Sequence, residues 1–142
     1  MDTSDIIASI SAVIAAGSLI YTIQSNKGNR EIAQAAYDHT KKAGTTDLVA
    51  AWKGIRAINP ESPITPQVDN ALRALQLTAG YWLHDIIEKD IIYAQAWTDY
   101  QSIYDALKVC EIEIPGTGVT GKSTLTKEMG DAYAQMNAYK KE

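Results

Sequence analysis

Eight consecutive residues, Gly116, Thr117, Gly118, Val119, Thr120, Gly121, Lys122 and Ser123, fit the phosphate-binding pattern G-x-x-x-x-G-K-[ST] at every position. In such a loop the glycines let backbone N–H groups turn toward phosphate oxygens. The lysine reaches the terminal phosphates and the serine hydroxyl holds Mg²⁺. A strand-like run from Glu111 to Ile114 precedes the loop, and a helical pattern follows it. A phosphate- or nucleotide-binding protein using residues 116–123 is therefore one reading. The surroundings favour a plainer one. A phosphate-binding loop works at the edge of a parallel sheet, where a second strand supplies an acid to the metal. Here Pro115 ends the strand-like run, only nineteen residues follow Ser123, and nothing upstream alternates strand with helix. The motif reads as a Gly-rich connection into a helix, with a bare anion-binding turn between the two readings. No cofactor is assigned.

The other reactive side chains do not assemble into a site. His84 and Glu88 are spaced as neighbours on one helix face, with Asp85 and Asp90 close by, and His39 follows Asp38. A catalytic metal needs about three converging protein ligands, so two from one helix make half a site, and no metal is expected. Asp85, Glu88 and Asp90 would serve acid–base chemistry only in a pocket, and carboxylates at a helix end ordinarily face water. Cys110 has Lys108 near it but no histidine to activate it as a nucleophile. Trp52, Trp82 and Trp97 fall on three different helical segments and read as core anchors rather than a ligand cage. No catalytic residue emerges, and an enzyme is not expected.

The element that organises the chain lies at its start. Residues 6–23, IIASISAVIAAGSLIYTI, carry no charge, and the uncharged stretch extends to Asn26. At the helical rise this run covers ~27 Å, close to the ~30 Å hydrocarbon core of a bilayer. Ala8, Ala12 and Ala16, with Ser11 and Ala15 beside them, form a face of small residues that lets a second helix approach closely. Alanine-rich stripes are equally normal in a soluble helix buried in an assembly. Asp2 and Asp5 precede the run where a signal peptide would carry positive charge. Lys27, Arg30, Lys41 and Lys42 follow it, which by the positive-inside rule places the C-terminal part in the cytoplasm. The single cysteine, Cys110, agrees with a reducing compartment.

The chain has 142 residues and a net charge of −4. Residues 24–56 hold six Lys and Arg against three acids, giving +3, while residues 57–113 hold three against nine, giving −6. The basic portion lies beside the proposed anchor and would meet anionic headgroups, making membrane lipid a partner. Nucleic acid is not expected, because the chain is acidic overall and its cations do not alternate with aromatics.

Beyond the anchor the periodicity is helical. NREIAQAAYDHTKK continues the first helix to a stop at Ala43 and Gly44. Thr45 and Thr46 are placed to cap a second helix, whose apolar stripe is Leu48, Ala51, Trp52, Ile55 and Ile58. NPESPITP is a rigid loop. Thr65 is positioned as an N-cap with Pro66 at the first helical position. Val68, Ala71, Leu72, Leu75, Ala79, Trp82, Leu83 and Ile86 then recur at helical spacing, interrupted by Gly80, for which close helix contact is the expected reason. Ile92, Ala96, Trp97, Tyr100, Tyr104 and Leu107 mark a fourth helix. Leu125, Met129, Ala132, Tyr133 and Met136 mark a fifth.

This succession resembles a group of small bacterial membrane-anchored proteins known mostly as domains of unknown function, some of them phage- or defence-associated. The likeness covers roughly residues 5–108. It rests on the uncharged N-terminal helix, the basic junction, AAWKGIRAI, and ALRALQLTAGYWLHDIIEKDIIYAQAWTDYQSIYDAL. Some helical defence proteins carry an Arg-x4–6-His ribonuclease motif. Here Arg30 precedes His39 by nine residues and Arg73 precedes His84 by eleven, so that activity is not implied.

The expected architecture is all-α, with residues 1–26 as an N-terminal transmembrane anchor and residues 27–142 as a cytoplasmic antiparallel helical bundle. The expected role is non-enzymatic: self-association, or service as a small subunit or effector of a membrane complex, with a homo-oligomer or a membrane protein as partner. A soluble structural protein, its N-terminal helix packed in an assembly, is the third reading.

Overall fold

A computed structural model describes the backbone of residues 3–139 and the side chains of residues 26–139. The expected anchor, residues 6–23, and its small-residue face lie outside the described side chains. Among the described residues no helix is long and apolar enough to cross a membrane. Four α-helices form: α1 (Thr3–Trp52), α2 (Thr65–Leu83), α3 (Lys89–Lys108) and α4 (Lys127–Ala138). Among the described residues there is no named strand, only an isolated antiparallel bridge between Glu113 and Thr120. The fold is an all-α bundle.

The chain divides into two compact units, Met1–His39 and Thr40–Glu142. In the first, the described side chains of residues 26–39 are almost all exposed, with Ile32 at 70% and Tyr37 at 52%. The second holds the core.

The break expected at Gly44 does not occur, and α1 runs through it to Trp52. A Cβ on Gly44 would lie 3.0 Å from Cγ2 of Ile87, so the glycine serves a close approach rather than a stop. Thr45 and Thr46 do not cap a new helix either. Their hydroxyls donate to the carbonyls of Lys41 and Lys42, at 2.9 and 3.0 Å, which is how threonine sits inside a helix. The stop comes at Gly54, whose φ of +78° suits a glycine just past a helix C-terminus. Gly44, Leu48 and Trp52, four residues apart, make the inward face of the last turns of α1.

After α1 the proline loop closes on Asn59, whose side chain accepts from the Glu61 N–H at 3.0 Å. Pro66 sits in the first turn of α2, where its missing N–H leaves no bond unmade. The N-cap is Ile64, not Thr65. The Thr65 hydroxyl reaches the carbonyl of Pro115 instead, at 2.7 Å, and ties the start of α2 to the 110–121 loop.

The apolar stripes of α2, α3 and α4 bury much as their spacing predicts. Val68, Ala71, Leu75, Ala79 and Trp82 meet Ile92, Ala96, Tyr100, Ile103 and Leu107, and Met129, Ala132 and Met136 complete the core. One register differs. The α2 helix ends at Leu83, and Asp85 takes a φ of +51°, a left-handed position that Asp tolerates better than most residues. That turn carries Ile87 into the core and leaves Ile86 exposed. Thr126 caps α4, its hydroxyl accepting from the Met129 N–H at 3.3 Å.

The glycines yield a test. Gly80 is not a close contact, since a Cβ there meets nothing within 4 Å, whereas a Cβ on Gly121 would lie 2.7 Å from Cβ of Cys110. Gly80→Ala is expected to raise stability by about 1 kcal/mol through helix propensity. Gly121→Ala is expected to lower it by about 1–3 kcal/mol through overpacking. Urea midpoints of the two variants check both signs.

Candidate functional site

The phosphate-motif loop is a folded connection in which the N–H groups of Thr117, Val119, Thr120, Lys122 and Ser123 are bonded within the chain. Lys122 N–H donates to Cys110 O at 3.0 Å, Ser123 N–H to Thr120 O at 3.1 Å, and Thr124 N–H to Gly121 O at 3.2 Å. Thr117 N–H reaches Ile114 O at 3.1 Å, and Thr120 N–H reaches the Ser123 hydroxyl at 3.1 Å. The Ser123 hydroxyl in turn donates to Thr120 O at 2.8 Å. A phosphate cradle needs these groups turned toward a common centre. Residues Lys122–Thr124 form a 3-10 turn, and α4 begins only at Lys127, so no helix N-terminus stands behind the lysine. The Lys122 ammonium is exposed, 3.9 Å from Glu111. Each motif glycine has a local reason: Gly116 and Gly118 take φ of +76° and +73° in the turn, and Gly121 packs on Cys110.

His84 and Glu88 do not share a helix face, because the helix ends between them. The nearby carboxylates are separately engaged. Glu88 pairs with Lys41 on α1, Asp85 with Lys89 at 3.2 Å, and Asp90 accepts from the Tyr139 hydroxyl at 2.6 Å. Among the described residues no group of three His, Cys, Asp or Glu is disposed to hold a metal. Cys110 is a buried free thiol against Gly121.

The tryptophans build the core and its border. The Trp52 N–H donates to the Thr78 hydroxyl at 2.9 Å, and the Trp82 N–H to the Gln135 side chain at 3.0 Å. Rings in successive contact run Trp82, Tyr139, Tyr93, Trp97, Tyr133, Tyr104, Tyr100 and Trp52, with centroids 4.5 to 6.3 Å apart. The Tyr100 hydroxyl donates to Met129 O at 2.8 Å, fastening α3 to α4.

One surface leaves no trace in the hydrophobic periodicity. Hollows lie along the outer side of α2, where Gly80 leaves the helix bare, and one of them also touches Arg73, Leu77 and Tyr81. The available signal was Gly80 itself, a helix-interior glycine with no internal contact to explain it.

Burial pushes the Tyr100 phenol far above its ordinary value, and Tyr104 adds to the effect. Burial also raises Tyr81 and Tyr133. Above pH ~10 an unfolded tyrosine ionises while the buried phenol keeps its proton, so stability present below that pH is lost as pH rises. Tyr100→Phe is expected to cost about 1 kcal/mol at pH 7 and to flatten the alkaline decline by up to about 1.4 kcal/mol per pH unit. Denaturant titrations at pH 8 to 11 read both. Lys122→Ala is expected to stay within about 0.5 kcal/mol of the parent protein. Micromolar ATP or GTP binding that this substitution abolishes would show the loop to be a nucleotide site after all.

No known protein family, curated protein or solved structure matches the chain, so its function is argued from its own residues.

Proposed function

We propose that the chain is a non-enzymatic single-pass membrane protein, anchored by residues 1–26, that acts by self-association or as a small subunit of a membrane complex. The observation that carries this is the state of α1 in the first unit. Its described side chains at 26–39 are almost all exposed, and Ile32 and Tyr37 find no burial. Helices in proteins owe most of their stability to a packed face. This one needs lipid or a partner to supply it, and the uncharged run immediately before it is long enough for lipid. The cations at Lys27, Arg30, Lys41 and Lys42 favour a cytoplasmic bundle.

The alternatives have less behind them. A nucleotide site at residues 116–123 would have to free donors that are bonded within the chain. A soluble assembly would also cover the exposed part of α1, and fractionation separates it from the membrane reading.

The full chain is expected to sediment with membranes and to need detergent for release, and protease outside intact spheroplasts should leave the part after Lys27 uncut. Release without detergent would overturn the anchor. Where the anchor holds, Ala12→Leu or Ala16→Leu is expected to weaken cross-linked oligomers in membranes, because small side chains permit close helix packing. Ile10→Leu, on the other side, should not. Equal oligomer yields from all three would remove self-association through that face.

A further inference from the structure

The outer side of α2 carries a trough with an unusual charge pattern. A hollow of about 510 Å³ is lined by Leu77, Gly80, Tyr81 and Ile86, with Arg73, Gln76 and His84. A second, of about 500 Å³, lies between α2 and the end of α1, shares Arg73 and Leu77 with the first, and adds Lys53 and Asn70. A third, of about 180 Å³, shares Gln76, Gly80 and His84 with the first and reaches Glu128. Gly80 is the bare place between the first and third, where an added Cβ would meet nothing within 4 Å.

No carboxylate lines the first two hollows. That is notable in a stretch, residues 57–113, with nine acids and three bases. Of those bases, Lys89 pairs with Asp85, while Arg73 makes no ion pair among the described residues. The polar end of the trough thus presents Arg73, Lys53 and Asn70, and the floor beyond is aliphatic and aromatic. From Arg73 to His84 is ~16 Å along the helix, the reach of a medium acyl chain. Asp47, close to Tyr81, is engaged by that tyrosine's hydroxyl at 3.5 Å.

We propose that this trough binds one fatty-acid anion, its carboxylate on Arg73 and Lys53 and its chain lying over Gly80. Charge selects an anion, and the apolar floor selects a hydrocarbon. A 510 Å³ hollow suits one chain rather than the two of a phospholipid. The inference does not depend on the N-terminal anchor, since every residue it uses lies in the unit Thr40–Glu142.

The full chain, in buffer where it is released without detergent and in phosphatidylcholine nanodiscs where it is not, would be irradiated with a diazirine-bearing palmitate and the labelled peptides mapped by mass spectrometry. Labelling is expected within residues 50–55 and 73–86, displaced by excess palmitate and not by dodecylamine. Arg73→Gln is expected to reduce it about threefold, as for a solvent-accessible ion pair. Gly80→Leu, which fills the floor where no atom stands in its way, is expected to reduce it about tenfold. Circular-dichroism melts confirm that both variants fold, and Arg73→Gln alone keeps the test decisive if Gly80→Leu does not. Labels confined to residues 6–23, equal displacement by dodecylamine, or labelling unchanged in both variants would overturn the proposal. So would preferential labelling by a diazirine phosphatidylglycerol, or cross-links showing a second copy's helix in the trough.

Discussion

A buried indole must give its N–H to something, and for Trp52 the acceptor is the hydroxyl of Thr78, itself fully buried. The Thr78 hydroxyl donates a hydrogen bond to the carbonyl of Ala74, so the pair closes with no donor left over. Among the described residues no buried side-chain nitrogen or oxygen lacks a partner. This bond fixes where α1 lies on α2. With Trp52 held, Leu48 falls one turn back into the core. Gly44, a turn further, comes against Ile87 and Tyr81, where a larger residue would push the helices apart. The Lys41–Glu88 pair follows one turn beyond that. These contacts are spaced along one face of α1, and Tyr81 adds a hydrogen bond from α2 to Asp47.

The opposite side of the bundle is held differently. Tyr93, Trp97, Tyr104, Tyr133 and Tyr139 form a half-buried aromatic border next to the buried Trp82, and Lys89 lies 5.3 Å above the Trp82 ring. Rings of this kind combine large buried area with polar tips that stay wet, which lets a short helix such as α4 hold its place with only Met129, Ala132 and Met136 fully inside. The Tyr100 hydroxyl bond to Met129 O adds the directional element there, as Trp52 does for α1.

Spacing alone was enough to read α2, α3 and α4, because one face of each is buried along most of its length and the period of 3.6 survives in the residue types. What spacing cannot show is why a glycine stands where it does. Gly44 reads as a stop, Gly80 as a contact and Gly121 as a phosphate ligand. In the fold the first is a contact, the second is open space and the third packs on a cysteine. The difference lies in residues forty or so positions away for Gly44, and across a loop for Gly121. Local propensity holds no information about either. The Ile86 register failed for a related reason: a single left-handed residue, Asp85, rotates the chain after α2 and exchanges Ile86 for Ile87. The phosphate motif reads as a Gly-rich connection, and the residues that bind anions, glycine, serine and threonine, are also the residues that close tight turns on themselves. Its pattern was satisfied by turn chemistry.

Among the described residues, α1 at residues 26–39 and the trough along α2 both expose apolar side chains. Their chemistry differs. The α1 surface alternates Ile32 and Tyr37 with Lys27, Arg30, Glu31 and Asp38, both signs interspersed, as a helix does when it meets headgroups or another helix. The first two hollows of the trough carry one sign only and an apolar floor, which suits a ligand with one charged end. A helix seated there would bring its own carboxylates and cations together against Arg73 and Lys53, and only half of them would be welcome. On the proposed reading the trough discriminates its ligand by charge. Selectivity in this protein rests on Arg73 and on the empty place left by Gly80.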